Sequence, residues 1–418
     1  LPDEYGYKYI GGRGIGVKLL LDNLWTGDAF APENPLIFMT GPVVGLDLGG
    51  TGRHATFTKS PASGFLGEAY SGGFFGTELK RSGFDGIMIK GISDTPVYLS
   101  IIEGKPVLND ATNLWGKGVF DTTDYLLNKH GDGKVSCIGQ GGENLVRFAS
   151  IMNDWTRANG RTGSGAVMGS KKLKAIYCKG HTKLEPKNPD AFKEAKKHYI
   201  KTLITPEHKN FGKFGTPGGI EGLHEMGILP TKNWQAGQFE GKTKISGETL
   251  YDTLLKKRNT CTSCPVRCKR EVETVVLGEK IIPKEGGPEY ETIGALGSLC
   301  LNDDLKIISL ANKLCNDHGL DTISTGAVIA FSMEAHEKGL IKDGIHWGDG
   351  PGIVNLVRDI AFRRNTGKIL GEGVLRASKQ IGGEDFAIHV KGVELPMHEA
   401  RGKKGLGLSY ACTPRGAN

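Results

Sequence analysis

The feature that most constrains the fold is a change of pattern near residue 183. Before it, short apolar runs such as PLIFM, HATFTKS, DGIMIKG, TPVYLSIIEG and KAIYCKG are bounded by Gly, Pro, Asp and Asn, which is typical of strands and turns. After it, apolar residues recur at helical spacing. The pattern predicts an α+β protein, with a β-rich first domain over residues 1–182 and a mainly helical part over residues 183–418.

The helical part is predicted to begin at Pro189 with Asn188 as its N-cap, because Asn caps helices and Pro suits the first turn. Further helices are predicted for ETLYDTLLKKR, DLKIISLANKLCND, the run from Thr325 through AVIAFSMEAHEKG, and IVNLVRDIAFRRN. Two short helices, GIGVKLLLDNL and TTDYLLNKH, are predicted within the β-rich domain.

Composition narrows the classes of function. With 63 glycines among 418 residues, the chain must make many tight turns or let its backbone approach a ligand closely. The formal charge of +7 is spread out, and no Lys/Arg run is interleaved with aromatic residues, so no nucleic acid is expected as a partner. No apolar stretch is long enough to span a bilayer. We therefore predict a soluble, cytoplasmic protein.

Three cysteines in the run CTSCPVRC form the clearest ligand motif. The C-x2-C-x3-C spacing of Cys261, Cys264 and Cys268 places three thiolates on one tight loop, where they could hold three irons of a [4Fe-4S] cluster. Structural zinc, a disulfide and plain thiols are the alternatives. No second Cys pair or His pair follows nearby, as structural zinc usually requires, and a disulfide would leave one thiol unpaired. The other five cysteines are scattered singly, which is typical of core residues.

Two glycine-rich stretches that carry arginines predict a site for a large phosphorylated cofactor. One is RANGRTGSGAVMG, with Arg157 and Arg161; the other comprises TGRHATFTKSP and SGGFFG, with Arg53 and Gly72. Guanidinium groups and bare backbone N–H groups bind phosphate oxygens well. The alternative is turn glycines beside solvated arginines. A dinucleotide fingerprint is a weaker interpretation, because the expected βα turn and acidic residue are missing.

With these stretches in hand, the chain resembles the tungsten-containing aldehyde ferredoxin oxidoreductase family. The resemblance covers essentially the whole length and rests on YIGGRG, KSPASGFLGEAYSGGFFGTELK, GENLVRFASIMND, RANGRTGSGAVMGSKKLKAI, CTSCPVRC, GPEYETIGALGS and GLDTISTG, in family order. It implies a β-rich domain that binds a bis-pterin cofactor of tungsten, or of molybdenum, together with a [4Fe-4S] cluster held by the three cysteines.

The same resemblance assigns individual residues. Glu291 would be the proton-handling carboxylate beside the metal. The predicted cofactor-binding residues are Arg53, Gly72, Arg157, Ala158, Gly160, Asn316, Leu320 and Asp321.

Several positions depart from the family pattern. Asn316 stands where the family usually has an aspartate, and Tyr70 stands where a small polar residue is expected. Leu310 and Lys313 occupy the positions of a Glu-x-x-His pair that binds iron between subunits in some members. That iron is therefore not expected, and both homo- and hetero-oligomers remain open.

We expect the sequence to be a fragment, since it begins LPDEYGY and stops at RGAN. The fourth cluster cysteine, an active-site histidine and a C-terminal helical domain would then lie beyond residue 418.

The predicted function is oxidation of an aldehyde to a carboxylic acid, with electrons leaving through the cluster to ferredoxin or to an iron-sulfur subunit. One alternative keeps the cofactor but acts on another substrate, by reducing the ring of an aromatic acyl-CoA or by oxidising a 2-hydroxy acid. Another alternative is a noncatalytic electron-relay subunit.

Overall fold

The protein was analysed as a computed structural model that describes residues 1–203 and 205–417. Its sheets lie in the first part of the chain and its helices dominate the second, which confirms the predicted α+β class. Among the described residues, no helix combines the length and the apolar character needed to cross a bilayer.

The first part contains ten strands among its described residues, divided between two sheets. These strands are β1 (Leu36–Thr40), β2 (His54–Lys59), β3 (Leu66–Ser71), β4 (Gly86–Ile89), β5 (Val97–Ile102), β6 (Lys105–Asp110), β7 (Lys134–Cys137), β8 (Ile151–Asn153), β9 (Arg157–Asn159) and β10 (Leu173–Lys179). Its helices are α1 (Asp3–Tyr9), α2 (Gly12–Asp22), α3 (Phe75–Arg81), α4 (Val119–His130), α5 (Gln140–Glu143) and α6 (Ser164–Ser170).

The first sheet is antiparallel, in the order β3-β2-β1-β4. The second follows the order β6-β5-β10-β7-β8-β9 and is antiparallel except where β10 runs parallel to β5. Helices α3 and α6 contact strands of both sheets. A shared apolar core, which includes Phe38, Phe75 and Ile176, joins the two sheets. Strand β3 also contacts β9, so an end of each sheet meets at one place.

The second part is mainly helical. Its helices are α7 (Pro189–Leu203), α8 (Pro206–Phe214), α9 (Ile220–Glu225), α10 (Gly247–Thr253), α11 (Tyr290–Leu296), α12 (Leu305–His318), α13 (Thr322–Glu337), α14 (Gly350–Phe362), α15 (Gly367–Leu370), α16 (Val374–Ile381) and α17 (Lys404–Cys412). Three short hairpins are formed by β11 (Leu255–Asn259) with β12 (Lys269–Val272), β13 (Thr274–Val276) with β14 (Glu279–Ile281), and β15 (His389–Val390) with β16 (Val393–Glu394). Single 3-10 turns occupy Thr216–Gly219, Lys242–Ile245, Pro283–Glu285, Ser298–Cys300 and Glu384–Phe386.

Helix α13 forms the centre of the helical core, because it is buried from Ile323 to Ala335 on every side, as expected for a helix without a polar face. It crosses α11 at Gly326, where an added Cβ would lie 2.4 Å from the Ala295 carbonyl oxygen. The sequence predicted this helix, α12 and α14, and it predicted the start of α7, where the Asn188 side chain accepts a hydrogen bond from Ala191 N at 3.0 Å.

One predicted helix is only half right. The run ETLYDTLLKKR is helical as far as Thr253, and the chain then enters β11. Strand β11 pairs with β12, with Arg258 opposite Arg270. Leu, Lys and Arg are good helix formers, but this long-range pairing overrides their local preference. The hairpin matters for function, because its loop is the cysteine motif.

Candidate active site

The cysteine motif is the loop of the β11–β12 hairpin. Cys264 N donates to the Cys261 carbonyl oxygen at 3.1 Å, which closes a tight turn. The hydroxyl of Thr260 donates to the Cys264 carbonyl oxygen at 2.6 Å. Cys261, Cys264 and Cys268 are all free and partly exposed. The loop therefore carries three partly exposed thiols within one short turn-forming segment.

These thiols do not surround a single point. Within residues 1–203 and 205–417, no group of three or more His, Cys, Asp and Glu side chains is arranged to hold one metal ion. A zinc ion would require such a group, whereas an iron-sulfur cluster takes each thiolate on a different iron. The preference for a cluster over zinc therefore continues to rest on the C-x2-C-x3-C spacing.

Among the other cysteines, Cys137, Cys178, Cys300 and Cys315 are buried, and Cys412 is exposed on α17. Burial raises the pKa of the Cys137 thiol to about 11, as expected for an unreactive core thiol.

The loop is docked on the glycine-rich turn after β3. Thr262 donates to the Gly73 carbonyl oxygen from its backbone nitrogen at 3.2 Å and from its hydroxyl at 3.1 Å. An added Cβ on Gly72 would lie 2.9 Å from Cys261 Sγ. Gly73 has a φ of +97°, which favours glycine. The predicted residue Gly72 therefore lies against the cluster motif, and a side chain there would separate the two.

Arg157 connects the β-rich part to the same loop. Its Nη2 donates to the Thr260 carbonyl oxygen at 2.7 Å, and its Nη1 lies 3.6 Å from Cys261 Sγ. Behind it, the side chain of Asn153 donates to the Arg157 carbonyl oxygen at 2.9 Å. Buried His54 lies 3.0 Å, through Nε2, from Asn159 Oδ1. The arginine predicted to hold a cofactor thus also lies beside a cluster thiol.

The remaining predicted residues of the β-rich part are at least partly exposed, and Ala158 and Gly160 follow Arg157 closely in the chain. Arg53 and Ala158 are exposed, and Gly160 is partly exposed. An added Cβ on Gly160 would meet no atom closer than 3.7 Å, where it approaches Asp321 Oδ1. The surface therefore has room for a ligand that lies against the backbone. We call Arg53, Gly72, Arg157, Ala158 and Gly160 the cradle.

Arg161 provides an unsatisfied donor at the inner end of the cradle. It is 7% exposed. Its Nη2 donates to the Glu394 carbonyl oxygen at 2.6 Å, and its Nε lies 3.1 Å from Asp321 Oδ2. Its Nη1 is buried and has no hydrogen-bond partner among the described residues. A buried, unpaired guanidinium N–H is costly, so an acceptor-rich ligand would be stabilised here.

Asp321 and Leu320 reach the cradle from the helical part. Ser150 N donates to the Gly319 carbonyl oxygen at 2.8 Å, and Asp321 N donates to the Phe148 carbonyl oxygen at 3.2 Å. Asp321 caps α13 by accepting from Ser324 N at 3.1 Å. Burial raises the pKa of its carboxyl, against the opposing effect of Arg161. The structure thus brings Asp321, predicted as a cofactor-binding residue, to Arg161.

Asn316 and Leu320 are placed less directly. The Asn316 side chain donates to the Glu285 carbonyl oxygen at 3.3 Å, so its amide faces the 3-10 turn before α11. Leu320 is 2% exposed and packs in the helical core; its contribution near the cradle comes from its backbone, which bridges to Ala149. Tyr70, the departure noted in the sequence, is 36% exposed on β3.

Glu291 lies in the first turn of α11, and a short segment holds it. Its Oε2 accepts a hydrogen bond from Met397 N at 2.8 Å, and its Oε1 lies 3.1 Å from His398 Nδ1. The hydroxyl of Tyr290 donates to the Met397 carbonyl oxygen. Sequence reasoning missed His398, because the segment PMHEA carries no local signal that it would pack against a carboxylate more than one hundred residues earlier.

Glu291 and His398 border a cavity of about 560 Å³, within the range typical of small-molecule sites. We call it the α9 pocket. Its lining residues are Phe211, Thr216, Gly219, Gly222, Leu223, Met226, Glu289, Tyr290, Glu291 and His398. A larger cavity of about 870 Å³ lies between α1, β1 and β4 and contains none of the predicted site residues.

The α9 pocket is connected to the cysteine loop by a chain of polar contacts. The hydroxyl of Thr216 donates to Glu289 Oε2 at 2.6 Å, and Lys269 Nζ lies 3.6 Å from Glu289 Oε1. Lys269 follows Cys268 directly. Burial lowers the pKa of Lys269, whereas burial, with the negative Glu289, raises the pKa of the Cys268 thiol. The pocket and the cluster motif therefore share one wall.

The residues present fit a bis-pterin group and a cluster. The cradle offers bare backbone, room at Gly160, and the unpaired Nη1 of buried Arg161, all of which suit a large ligand rich in acceptors and negative charge. The three thiols of the loop lie beside it. A thiolate loop, an anion cradle and a partly apolar pocket in contact define a cofactor-dependent redox enzyme.

Comparison with known proteins gives the family. The model of the N-terminal domain of aldehyde ferredoxin oxidoreductase matches residues 1–180, and the model of its domains 2 and 3 matches residues 192–418. The chain therefore belongs to the aldehyde ferredoxin oxidoreductase family. This confirms the family and the oxidoreductase class predicted from the sequence.

Individual relatives agree. The tungsten-containing aldehyde ferredoxin oxidoreductase of Thermococcus kodakarensis is 39% identical over 99% of this chain and 70% of its own. The aliphatic sulfonate oxidoreductase, WOR-like subunit, of Pyrococcus furiosus is 33% identical over 100% of this chain and 72% of its own. A solved structure, the active-site complex BamBC of benzoyl coenzyme A reductase with 1,5-dienoyl-CoA, superposes with a TM-score of 0.83 at 26% identity. That match covers 95% of this chain and 63% of the solved one.

Proposed function

We propose that this chain oxidises aldehydes to carboxylic acids with a tungsten bis-pterin cofactor and passes the electrons through a [4Fe-4S] cluster to ferredoxin or to an iron-sulfur partner subunit. The overall reaction adds water to RCHO and gives RCOOH, two protons and two electrons. When bound, the metal-dithiolene group supplies the two-electron redox chemistry and the cluster supplies single-electron steps.

The observation that carries the proposal is the position of Arg157. One guanidinium contacts the cysteine loop at Thr260 and Cys261, and the same residue lies in the cradle beside Ala158 and Gly160. A cofactor in the cradle and a cluster on the loop would therefore lie on two sides of one side chain. Such proximity is what electron transfer between them requires.

The chain's own residues bind, orient and handle protons. The cradle would bind the pterin groups through backbone and guanidinium donors, with Arg161 Nη1 free to donate. Cys261, Cys264 and Cys268 would ligate the cluster. The α9 pocket would hold the organic tail of the aldehyde against Phe211, Leu223 and Met226, with Glu291 at its polar end, where the reaction releases protons.

The pocket also indicates which aldehydes would bind. The ionisable side chains that line it are the carboxylates of Glu289 and Glu291, the phenol of Tyr290 and the imidazole of His398, with no lysine or arginine among them. Anionic substrates would be repelled there, whereas an uncharged, apolar tail would be desolvated favourably. The alternatives of an acyl-CoA and a 2-hydroxy acid both require an anion to approach this pocket. Uncharged aldehydes therefore suit it better.

The test is activity and metal content of anaerobically purified native protein. We expect tungsten, or molybdenum in its place, iron with acid-labile sulfide, and viologen reduction that depends on an uncharged aldehyde such as 3-phenylpropanal. A phosphorylated aldehyde of similar size and a 2-hydroxy acid are the matched controls, and each should react at least tenfold more slowly. A protein with both metals that oxidises no aldehyde would contradict the proposal.

A further inference from the structure

The segment that holds Glu291 brings a histidine to the same site. Glu291 accepts a hydrogen bond from Met397 N, and the next residue, His398, places its Nδ1 3.1 Å from the other carboxylate oxygen. The Tyr290 ring meets the His398 ring edge-on at 5.1 Å, and the Tyr290 hydroxyl binds the Met397 carbonyl. Contacts from α11 therefore fix the imidazole on two sides.

The orientation of the ring decides which nitrogen is free. A carboxylate against Nδ1 favours the tautomer with the proton on Nδ1, because an ionised carboxylate only accepts. In the neutral ring, Nε2 then carries the lone pair. None of the described residues forms a hydrogen bond with Nε2, and the side chains of His398 and Glu291 are 29% and 31% exposed at the edge of the α9 pocket.

We propose that His398 is a catalytic residue, whose Nε2 accepts the proton of the attacking water while Glu291 orients the ring and compensates its charge. This inference rests on the proposed function. In the step, the water oxygen bonds to the aldehyde carbon, the carbonyl π pair moves to the carbonyl oxygen, and the water proton moves to Nε2. The products are the anion of the aldehyde hydrate and an imidazolium, so no oxidant is consumed.

Other charged groups around the pair leave this assignment in place. From α11, Glu289 and Glu291 face the pocket, and the phenol of Tyr290 meets the ring. From α17, Tyr410 interacts electrostatically with Glu291. On the segment itself, Glu399 is paired with Arg401 at 2.7 Å. Apart from Arg401, which is paired with Glu399, the groups named here are anionic or neutral.

The experiment compares His398→Gln, His398→Ala and the control His346→Ala in the holoenzyme. His346 is exposed beside His336 and lies outside the α9 pocket. Glutamine keeps a hydrogen-bonding side chain of similar length but cannot accept a proton at neutral pH. General-base catalysis contributes roughly 10²–10⁴-fold, so kcat should fall at least 100-fold in both His398 variants, with KM changed less than threefold. Added imidazole should restore part of the rate of His398→Ala only.

A second readout does not require turnover. Calorimetric titration with 3-phenylpropan-1-ol, whose hydroxyl can donate to Nε2, should give a Kd about fivefold weaker for both His398 variants than for wild type and His346→Ala. Circular dichroism, tungsten content and cluster absorbance should match wild type in each protein.

The outcomes separate the two proposals. If wild type oxidises aldehydes and His398→Gln keeps more than a third of its kcat, the inference about His398 is overturned and the proposed function stands. Loss in His398→Ala with full activity in His398→Gln would mean that His398 only fills space, which also overturns it. If metal-loaded wild type oxidises no aldehyde, the proposed function fails instead, and unchanged alcohol binding in the His398 variants would overturn the placement of Nε2 as well.

Discussion

The cysteine loop and the α9 pocket are neighbours that are built in opposite ways. The loop takes its three ligands from one hairpin, Cys261 to Cys268, and docks on neighbouring turns of the β-rich part at Gly49 and at Gly72 and Gly73. The pocket takes its walls from α8 and α9, from α11 and from the segment at His398, three stretches that are far apart along the chain. The comparison teaches that the cluster ligands can be identified from one short segment of sequence. The shape of the substrate pocket, in contrast, depends on how separate helices pack together.

The largest expected effect tests the cysteine loop, whose three ligands come from one hairpin. Cys264→Ser should remove a ligand from the cluster, so ferredoxin- or viologen-linked activity should fall at least 100-fold, together with the visible absorbance of the cluster. Cys412→Ser is the matched control, because Cys412 is an exposed single cysteine on α17, and it should behave as wild type. Iron analysis and activity measure both. Full activity in Cys264→Ser would show that the loop has no role in electron transfer.

The second prediction concerns the strands beneath the cradle. Burial lowers the pKa of His54 to about 4, below the ordinary value near 6.5. Below pH 6.5 the unfolded chain therefore binds the extra proton, and stability falls as the pH falls toward 4. Between pH 7 and pH 5 this group should cost about 2 kcal/mol of unfolding free energy.

Urea denaturation at the two pH values measures this cost. His54→Gln should lose about that much of the pH dependence, whereas His181→Gln, at a histidine whose side chain is 77% exposed, should keep it. Equal pH dependence in all three proteins would show that His54 titrates freely and does not support the cradle.

The third prediction tests the α9 pocket, whose walls come from separate segments of the chain. No atom lies within 4 Å of an added Cβ at Gly222, so Gly222→Leu should fill the α9 pocket without disturbing α9. We expect kcat/KM for 3-phenylpropanal to fall about tenfold and that for acetaldehyde to change less than twofold. Gly6→Leu, at an equally open glycine in α1, should change neither ratio. An equal loss for both aldehydes in Gly222→Leu would mean that the pocket does not hold the substrate tail.

The smallest effect tests the contact between the two halves. Arg157→Lys cannot reach both the Thr260 carbonyl oxygen and Cys261 Sγ with a planar fork, so we expect activity to fall roughly fivefold, about 1 kcal/mol, with the iron content retained. Arg267→Lys is the control, because Arg267 donates to a carbonyl of the same hairpin from an exposed position. Steady-state rates are the measurement. Identical rates for the two variants would show that Arg157 has no part in electron transfer.

The sequence could predict the features that depend on the spacing of residues close together in the chain. The strand and helix patterns, the start of α7 at Asn188 and the cysteine set were all visible, because each depends on residues a few positions apart. The second half of ETLYDTLLKKR was predicted wrongly as helix, since its strand form depends on pairing with β12. The sequence did not predict a role for His398 for the same reason. His398 lies beside Glu291 only because the fold lets Met397 N donate a hydrogen bond to that carboxylate.

The cradle residues could be predicted only in part. Their identities came from the resemblance to the family, and the structure places Gly72 and Arg157 at the cysteine loop and Asp321 at Arg161. The orientation of Arg161, with Nη2 on the Glu394 carbonyl, was not predictable, because β16 joins the site from more than two hundred residues away. Their roles in holding a cofactor remain predictions.

The short pairing between residues 148–150 and 319–321 has a consequence for biosynthesis. Ala149 bridges Leu320, and Ser150 N donates to the Gly319 carbonyl oxygen, so these contacts of the sheet-bearing half cannot form until the ribosome has delivered the loop before α13. Contacts so distant in sequence slow folding and prolong exposure of unfinished surfaces. We therefore expect a pterin to be inserted at the cradle only after this pairing has formed.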